Sequence, residues 1–222
     1  MMSIAKWIDH TLLKVDATQE AIENLCREAV HYGTYAVCVN PRWVSVAREA
    51  RRGSDVKVCT VVGFPLGATF ESIILTETEL AMAYGAEEID MVMNVGALKS
   101  GDHRRVLSGL RRVTELAHAS DGDVMVKVIV ESAVLTREEK LLAASLVVES
   151  GADFLKTSTG FVVTPDLLGD VELFRNALPD GFPIKAAGGI RNYHTAKRLL
   201  DMGVVRIGTS STQALVEGER AM

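Results

Sequence analysis

The chain has 222 residues, of which 48% are hydrophobic and 24% charged, a balance that excludes an intrinsically disordered or fibrous protein. Twenty-four Lys and Arg against 29 Asp and Glu leave a formal charge of −5, so there is no whole-molecule attraction to nucleic acid or anionic lipid, and any anionic ligand must be held locally. Aromatic residues make up only 5%, which leaves an aliphatic, β-branched core of the kind that suits parallel strands buried on both faces.

From Trp7 onward, short β-branched runs alternate with longer segments of helical period. Strands are predicted over 7–10, 36–40, 57–63, 88–94, 124–130, 153–158, 183–189 and 204–208, with helices over 18–32, 41–51, 70–84, 102–119, 136–150, 165–177, 192–202 and 210–217. Thr18 with Glu20, Thr136 with Glu138 and Glu139, and Thr164 before Pro165 read as helix starts. Gly33, Gly85, Gly151 and Gly203 follow the ends of four helices, where a left-handed cap is expected. No Ser/Gly/Pro-rich linker or charge block interrupts the pattern. Eight βα units in this length predict an α/β fold, a (β/α)8 TIM barrel, as a single domain over residues 1–222. An open doubly wound sheet is the alternative, but its dinucleotide fingerprint is missing.

Cys26, Cys38 and Cys59 are too few for a disulfide framework and have no CxxC spacing, which suits a reducing, cytoplasmic setting. Cys38 is expected to serve as a small buried hydrophobe. The N-terminal MMSIAKWIDHTLL meets Asp9 and His10 before any apolar run of signal-peptide length, and no stretch approaches about 18 uncharged apolar residues, so no membrane span is expected. His10, His31, His103, His118 and His194 are scattered without ligand spacing, and no metal site is expected.

In a barrel, polar residues at the C-terminal ends of strands converge on one mouth. Lys156, in DFLKTSTG, and Lys185, in PIKAAGGIR, occupy equivalent places in successive units. Burial and a like charge each disfavour the protonated amine, so one of the two can be neutral and nucleophilic near neutral pH, as carbinolamine and Schiff-base formation requires. Asp90, in EIDMVMN, and Asp9, in WIDHTLL, are carboxylates in apolar strands and need cationic partners, for which the lysines are the natural choice. Asp90 can also shuttle protons through water to a carbinolamine. Lys57 and Lys127 are expected to point into the barrel and to pair with acids such as Glu131. Three late segments suit a phosphate: Ser158, Thr159 and Gly160; Gly188 and Gly189 with Arg191; and Gly208 to Ser211 opening the last helix.

Taken in order, DHTLLK, EIDMVMN, KVIVES, GADFLKTSTGF, KAAGGIR and RIGTSS resemble the deoxyribose-phosphate aldolases, class I aldolases of the (β/α)8 fold, over nearly the whole chain. The resemblance implies reversible cleavage of 2-deoxy-D-ribose 5-phosphate to D-glyceraldehyde 3-phosphate and acetaldehyde, with no metal and no organic cofactor. It implies Lys156 as the Schiff-base lysine, Lys185 as the second lysine that lowers its pKa, and Asp90 as the proton shuttle. Asp9 and Thr157 match substrate-binding positions, and Gly160, Gly188, Gly189, Arg191, Gly208, Ser210 and Ser211 match the phosphate site. Some members carry a lysine where this chain has Phe161, and some end in a tyrosine that reaches the active site, whereas this chain ends VEGERAM. The implied partners are a small-molecule sugar phosphate and acetaldehyde, with a second copy of the chain in a homodimer and neither nucleic acid nor membrane. Two other readings fit the same barrel: a Schiff-base lyase with a ketone donor, and a catalytically silent sugar-phosphate sensor.

Overall fold

The computed structural model describes residues 3–120 and 124–222. Residues 1, 2 and 121–123, which the single-domain reading over 1–222 includes, lie outside the described residues. A 3-10 turn, Ile4–Trp7, leads into β1 (Ile8–Leu12), followed by α1 (Gln19–Tyr32), β2 (Ala36–Val39), α2 (Val44–Ala50), β3 (Lys57–Val62), α3 (Glu71–Tyr84) and β4 (Glu88–Val92). The chain continues through α4 (Val95–Lys99), α5 (His103–His118), β5 (Met125–Ile129), α6 (Arg137–Glu149), β6 (Phe154–Lys156) and α7 (Leu167–Ala177). It finishes with β7 (Ile184–Ala187), α8 (Tyr193–Asp201), β8 (Arg206–Thr209) and α9 (Thr212–Arg220). Each strand pairs in parallel with the next, and β8 returns to β1 to close the barrel, so the eight-stranded barrel expected from the sequence is the fold.

The sequence signals act locally as their chemistry dictates. Thr18 accepts from the Ala21 N–H to start α1, and Thr136 and Glu139 form a reciprocal capping box at α6. Gly33 and Gly85 end α1 and α3 in the left-handed region, which strains a residue with a side chain. At α7 the start differs from expectation: Asp166 caps the helix by accepting from the Gly169 N–H. Thr164 instead bonds the Ser158 hydroxyl at 3.0 Å, and Pro165 lies outside the helix. The segment predicted as a helix over 41–51 is divided between a 3-10 turn, Pro41–Trp43, and α2. The short α4 follows β4 because Asn94 turns back to accept from the Ala97 N–H at 2.9 Å.

Apolar side chains fall into two groups. The larger packs the outer wall of the barrel against the helices and includes Ile22, Val58, Ile89, Leu110, Leu155, Phe174 and Leu199. Complete burial of one such side chain contributes about 1.5–3 kcal/mol, so this shell carries most of the stability. The smaller group is formed by Leu13, Ala36, Cys38, Cys59 and Val61, with Tyr35 and Phe64 against it. These are mostly small side chains on the first strands, and charged side chains of the remaining strands extend into the space they leave.

Candidate active site

β4 supplies Asp90, which is fully buried. Its Oδ1 accepts from Lys127 Nζ on β5 at 2.9 Å, and its Oδ2 accepts from Lys156 Nζ on β6 at 2.8 Å and from Lys185 Nζ on β7 at 2.6 Å. Lys185 also donates to Asp9 on β1, whose other oxygen takes the Arg206 guanidinium of β8 at 2.9 Å. Arg206 pairs with Glu88 at 3.0 Å, and Lys127 reaches the same Glu88 oxygen at 2.7 Å. The Arg206 guanidinium carbon lies 3.4 Å from the centre of the Tyr35 ring, a cation–π contact. A buried carboxylate without a partner costs several kcal/mol, and each of the three here has at least two cations.

The electrostatic consequences follow from that pairing. Burial by itself raises the Asp90 carboxyl, but Lys127, Lys156 and Lys185 overcome it and hold the group well below the usual carboxylate range. Burial likewise raises the Asp9 carboxyl, and Lys185, Arg206 and Lys127 outweigh it to hold Asp9 at about 2. Desolvation opposes charge on Lys185, yet Asp9 and Asp90 win and raise its pKa, so it is a fixed cation. The same competition, settled by Asp90 and Glu88, raises Lys127 well above its ordinary value.

Charge counting singles out one lysine. Four cations, Lys127, Lys156, Lys185 and Arg206, face three carboxylates, so the cluster with every amine protonated carries one surplus positive charge. Lys127, Lys185 and Arg206 each pair with two carboxylates, whereas Lys156 pairs with Asp90 alone. Lys156 is also the member of the cluster that reaches the open cavity at the strands' C-terminal ends. Which of the two successive lysines can act as the free amine, a choice open in the sequence, is thereby weighted to Lys156.

The cavity has a volume of about 240 Å³. Besides Lys156 it is lined by Thr159, Gly160 and Phe161 after β6, by Gly188, Gly189 and Arg191 after β7, and by Gly208, Ser210 and Ser211 at β8 and the entry to α9. Gly160, Gly188 and Gly189 have φ of 86°, 97° and 73°, a left-handed backbone that exposes peptide N–H groups. Among the described residues, no hydrogen bond takes the N–H of Gly160, Gly189 or Ser210. α9 begins beside them with no side-chain cap, and its dipole favours an anion there. Gly208 is required for another reason: a Cβ on it would lie 3.1 Å from the Ala187 Cβ and 3.3 Å from the Lys185 Cε.

The structure sorts the predicted residues into two groups. Lys156, Gly160, Gly188, Gly189, Arg191, Gly208, Ser210 and Ser211 line the cavity, while Asp9, Asp90 and Lys185 form the buried ionic cluster next to Lys156. Thr157 joins neither group, because its hydroxyl is engaged with the Ala187 carbonyl and N–H at 3.1 Å each. Two expectations are corrected. Lys127 points into the barrel but pairs with Asp90 and Glu88, and Glu131 instead holds Thr159. Lys57 has the inward parity, but as the first residue of β3 its side chain leaves the rim and meets Glu87 at 2.7 Å. Sequence reasoning missed Glu88 and Arg206. The available signal was parity, since Glu88 stands two residues before Asp90 and Arg206 two before Gly208 in otherwise apolar strands.

Two sets of side chains have geometry suited to a metal ion among the described residues: Cys38, Cys59 and Asp90, and Asp9, Cys59 and Glu88. Their carboxylates are already bound to ammonium or guanidinium groups, and a cation entering either set would face the surplus positive charge of the cluster. Cys38 and Cys59 are buried and stand opposite one another on β2 and β3, with Cys59 Sγ 3.2 Å from Asp90 Oδ1. Among the described residues, no helix is long and apolar enough to cross a membrane.

A family model described as DeoC/LacD family aldolase matches residues 3–210. A deoxyribose-phosphate aldolase of Streptococcus pneumoniae serotype 19F (strain G54) is 50% identical over 220 residues, covering 99% of this chain and 98% of its own length. Among solved structures, an aldolase designated QR15 has a TM-score of 0.91 at 37% identity, covering 100% of this chain and 97% of its own. A deoxyribose phosphate aldolase from Aeropyrum pernix, described as a tetramer, has a TM-score of 0.89 at 32% identity, covering 98% of this chain and 91% of its own.

Proposed function

We propose a division of labour among the residues of this chain, which belongs to the DeoC/LacD family of aldolases. The reaction is the reversible retro-aldol cleavage of 2-deoxy-D-ribose 5-phosphate into D-glyceraldehyde 3-phosphate and acetaldehyde through a lysine Schiff base. Lys156, as the free amine, attacks the C1 aldehyde of the open-chain sugar, and the carbinolamine loses water to give an iminium. Electrons of the C2–C3 bond flow into that iminium as the C3 hydroxyl loses its proton, releasing glyceraldehyde 3-phosphate and leaving the enamine of acetaldehyde. Protonation at C2 and hydrolysis return Lys156. Asp90, with water, moves the protons, a role supported by its contact with both amines. Lys185, as a fixed cation, disfavours a second ammonium beside it. Asp9 holds Lys185 in place.

The phosphate is assigned to the cavity's far loops, with Gly160, Gly188, Gly189, Ser210 and Ser211 offering N–H and hydroxyl donors, α9 its dipole and Arg191 a cation at the rim. Gly208 leaves room for Lys185, and Thr157 contributes indirectly by tying β6 to β7. All of this chemistry uses side chains of the chain itself, without a metal or organic cofactor. The observation that carries the assignment is the position of Lys156, the one cavity-lining amine of the cluster and the one with a single carboxylate partner.

Reduction with borohydride in the presence of acetaldehyde is expected to add an ethyl group to Lys156, read by mass spectrometry of the digested protein. An unlabelled Lys156, or full activity in Lys156→Ala, overturns the assignment. Dihydroxyacetone in place of acetaldehyde is expected to give no adduct.

We further propose that one domain spans the chain, that the enzyme works in the cytoplasm, where Cys26, Cys38 and Cys59 stay free, and that it forms a homodimer. The dimer reading is supported by solvent-facing Ile73, Leu80 and Tyr84 along α3, beside Phe70 at its start. Sedimentation of the wild type as a dimer, and of Ile73→Glu with Leu80→Glu as a monomer, is the expected result; a monomeric wild type overturns it.

A further inference from the structure

Among the described residues, Glu131 is the one non-glycine with a positive φ, at 52° with ψ 61°. That conformation is strained for a residue with a side chain, and such an outlier persists only where its surroundings hold it. The backbone explains its origin. Val130 N–H donates to the Lys156 carbonyl at 3.0 Å, but Ser132 N–H then donates to the Thr157 carbonyl at 2.9 Å, one residue short of the two-residue advance of a regular parallel ladder. The mismatch is absorbed at Glu131, and its side chain turns toward the loop that follows Lys156.

Glu131 is buried, yet it has no ion-pair partner among the described residues. Its carboxylate accepts from the Thr159 hydroxyl, and both of its oxygens lie 3.4 Å from the Thr159 N–H. The Thr159 hydroxyl in turn accepts from the Phe161 N–H at 3.1 Å. These bonds close the loop around Gly160, whose own N–H is unclaimed and which lines the cavity with Thr159.

We propose that Glu131 is a positioning residue that sets preference for a phosphorylated over an unphosphorylated sugar, by holding the Thr159–Phe161 loop so that the Gly160 N–H stands ready for a phosphate oxygen. It acts through Thr159 and does not itself line the cavity. The proposal rests on the reading of that cavity as the phosphate site, and charge alone predicts the opposite sign. A carboxylate near a phosphate repels it, so a Glu131 without a positioning role would be a hindrance whose removal tightens phosphate.

The test compares kcat/KM for 2-deoxyribose 5-phosphate and 2-deoxyribose, together with inhibition by inorganic phosphate, in the wild type, Glu131→Ala, Glu131→Gln, Thr159→Val and Thr159→Ser. Loss of the clamp in Glu131→Ala is expected to lower the phosphorylated-to-unphosphorylated ratio and weaken phosphate inhibition by about tenfold each, the scale of one hydrogen bond to a charged group. Glu131→Gln, which keeps one acceptor oxygen, is expected to lose less. Thr159→Val should reproduce the loss and Thr159→Ser should rescue it. If Glu131→Ala does not fold, the two Thr159 variants decide the matter. An unchanged or higher ratio in Glu131→Ala, or in Thr159→Val, overturns the proposal. A wild type that neither prefers the phosphorylated sugar nor is inhibited by phosphate overturns the phosphate reading beneath it.

Discussion

Lys156 and Lys185 stand opposite one another in the register of β6 and β7, and their ammonium nitrogens meet the same oxygen, Oδ2 of Asp90, at 2.8 and 2.6 Å. Of the two lysines, only Lys185 has a second carboxylate partner, Asp9. Two amines of identical chemistry are thus made unequal by one additional contact, and the unequal pair suits a nucleophile beside a permanent charge.

Replacing Lys185 with Leu removes the neighbouring cation and leaves three cations facing three carboxylates. The cluster then carries no surplus positive charge. The pH at which activity appears is expected to rise, measured as kcat against pH. A profile that does not move removes the electrostatic role of Lys185.

Asp9 links the cluster to stability. Its pKa is about 2 in the fold, below the 3.8 of an unperturbed aspartate. A carboxyl depressed by folding stabilises the native state at pH values above its unfolded pKa, and that contribution disappears as pH falls through the folded value. The difference is worth about 2 kcal/mol, lost as pH drops from about 4 to about 2. Asp9→Asn is expected to flatten that part of the acid limb and to lower stability near neutrality by about 3–5 kcal/mol, because Lys185 and Arg206 each lose a buried partner. Urea unfolding at a series of pH values measures both effects, and an acid limb identical to the wild type contradicts the assignment.

Gly208→Ala places a methyl group against the Ala187 Cβ and the Lys185 Cε. Overpacking of this kind typically costs about 1–3 kcal/mol. The variant should melt earlier and turn over more slowly, since Lys185 is displaced from Asp90. A variant with unaltered melting temperature and kcat shows that the site has slack.

Phe161 sits on the rim of the cavity, half exposed, with its ring edge-on to Phe64 at 5.1 Å between centroids. Phe161→Lys gives up that contact and adds a cation near the phosphate loops. The KM for the phosphorylated sugar is expected to fall severalfold in dilute buffer, with the gain fading as salt approaches about 0.15 M and the Debye length shortens to about 8 Å. A KM that is insensitive to both the substitution and salt places the phosphate elsewhere.

The repeat of β-branched runs and glycine-capped helices was legible because it depends on neighbours along the chain, as at Thr18, Gly33 and Thr136. Lys156 and Lys185 were legible because two lysines at equivalent places in adjacent units must meet. The Glu88, Lys127 and Arg206 ring was hidden, since those partners lie on β4, β5 and β8 and come together only when the barrel closes. Glu131 was misassigned for a related reason. Its backbone departs from the strand at that residue, so parity counted along β5 no longer gives the direction of its side chain.

The ionic cluster also has an order along the chain. Its acids, Asp9, Glu88 and Asp90, all come from β1 and β4, and its bases, Lys127, Lys156, Lys185 and Arg206, all come from β5 to β8. Severed between β4 and β5, the protein would leave the cluster's acids on one fragment and its bases on the other, each set buried without its partners. Neither half-barrel holds the cluster partners of its own buried charges, so each is poorly suited to fold alone and well suited to recombine with the other. The charges that prepare an amine for chemistry also oblige the two halves of the barrel to assemble together.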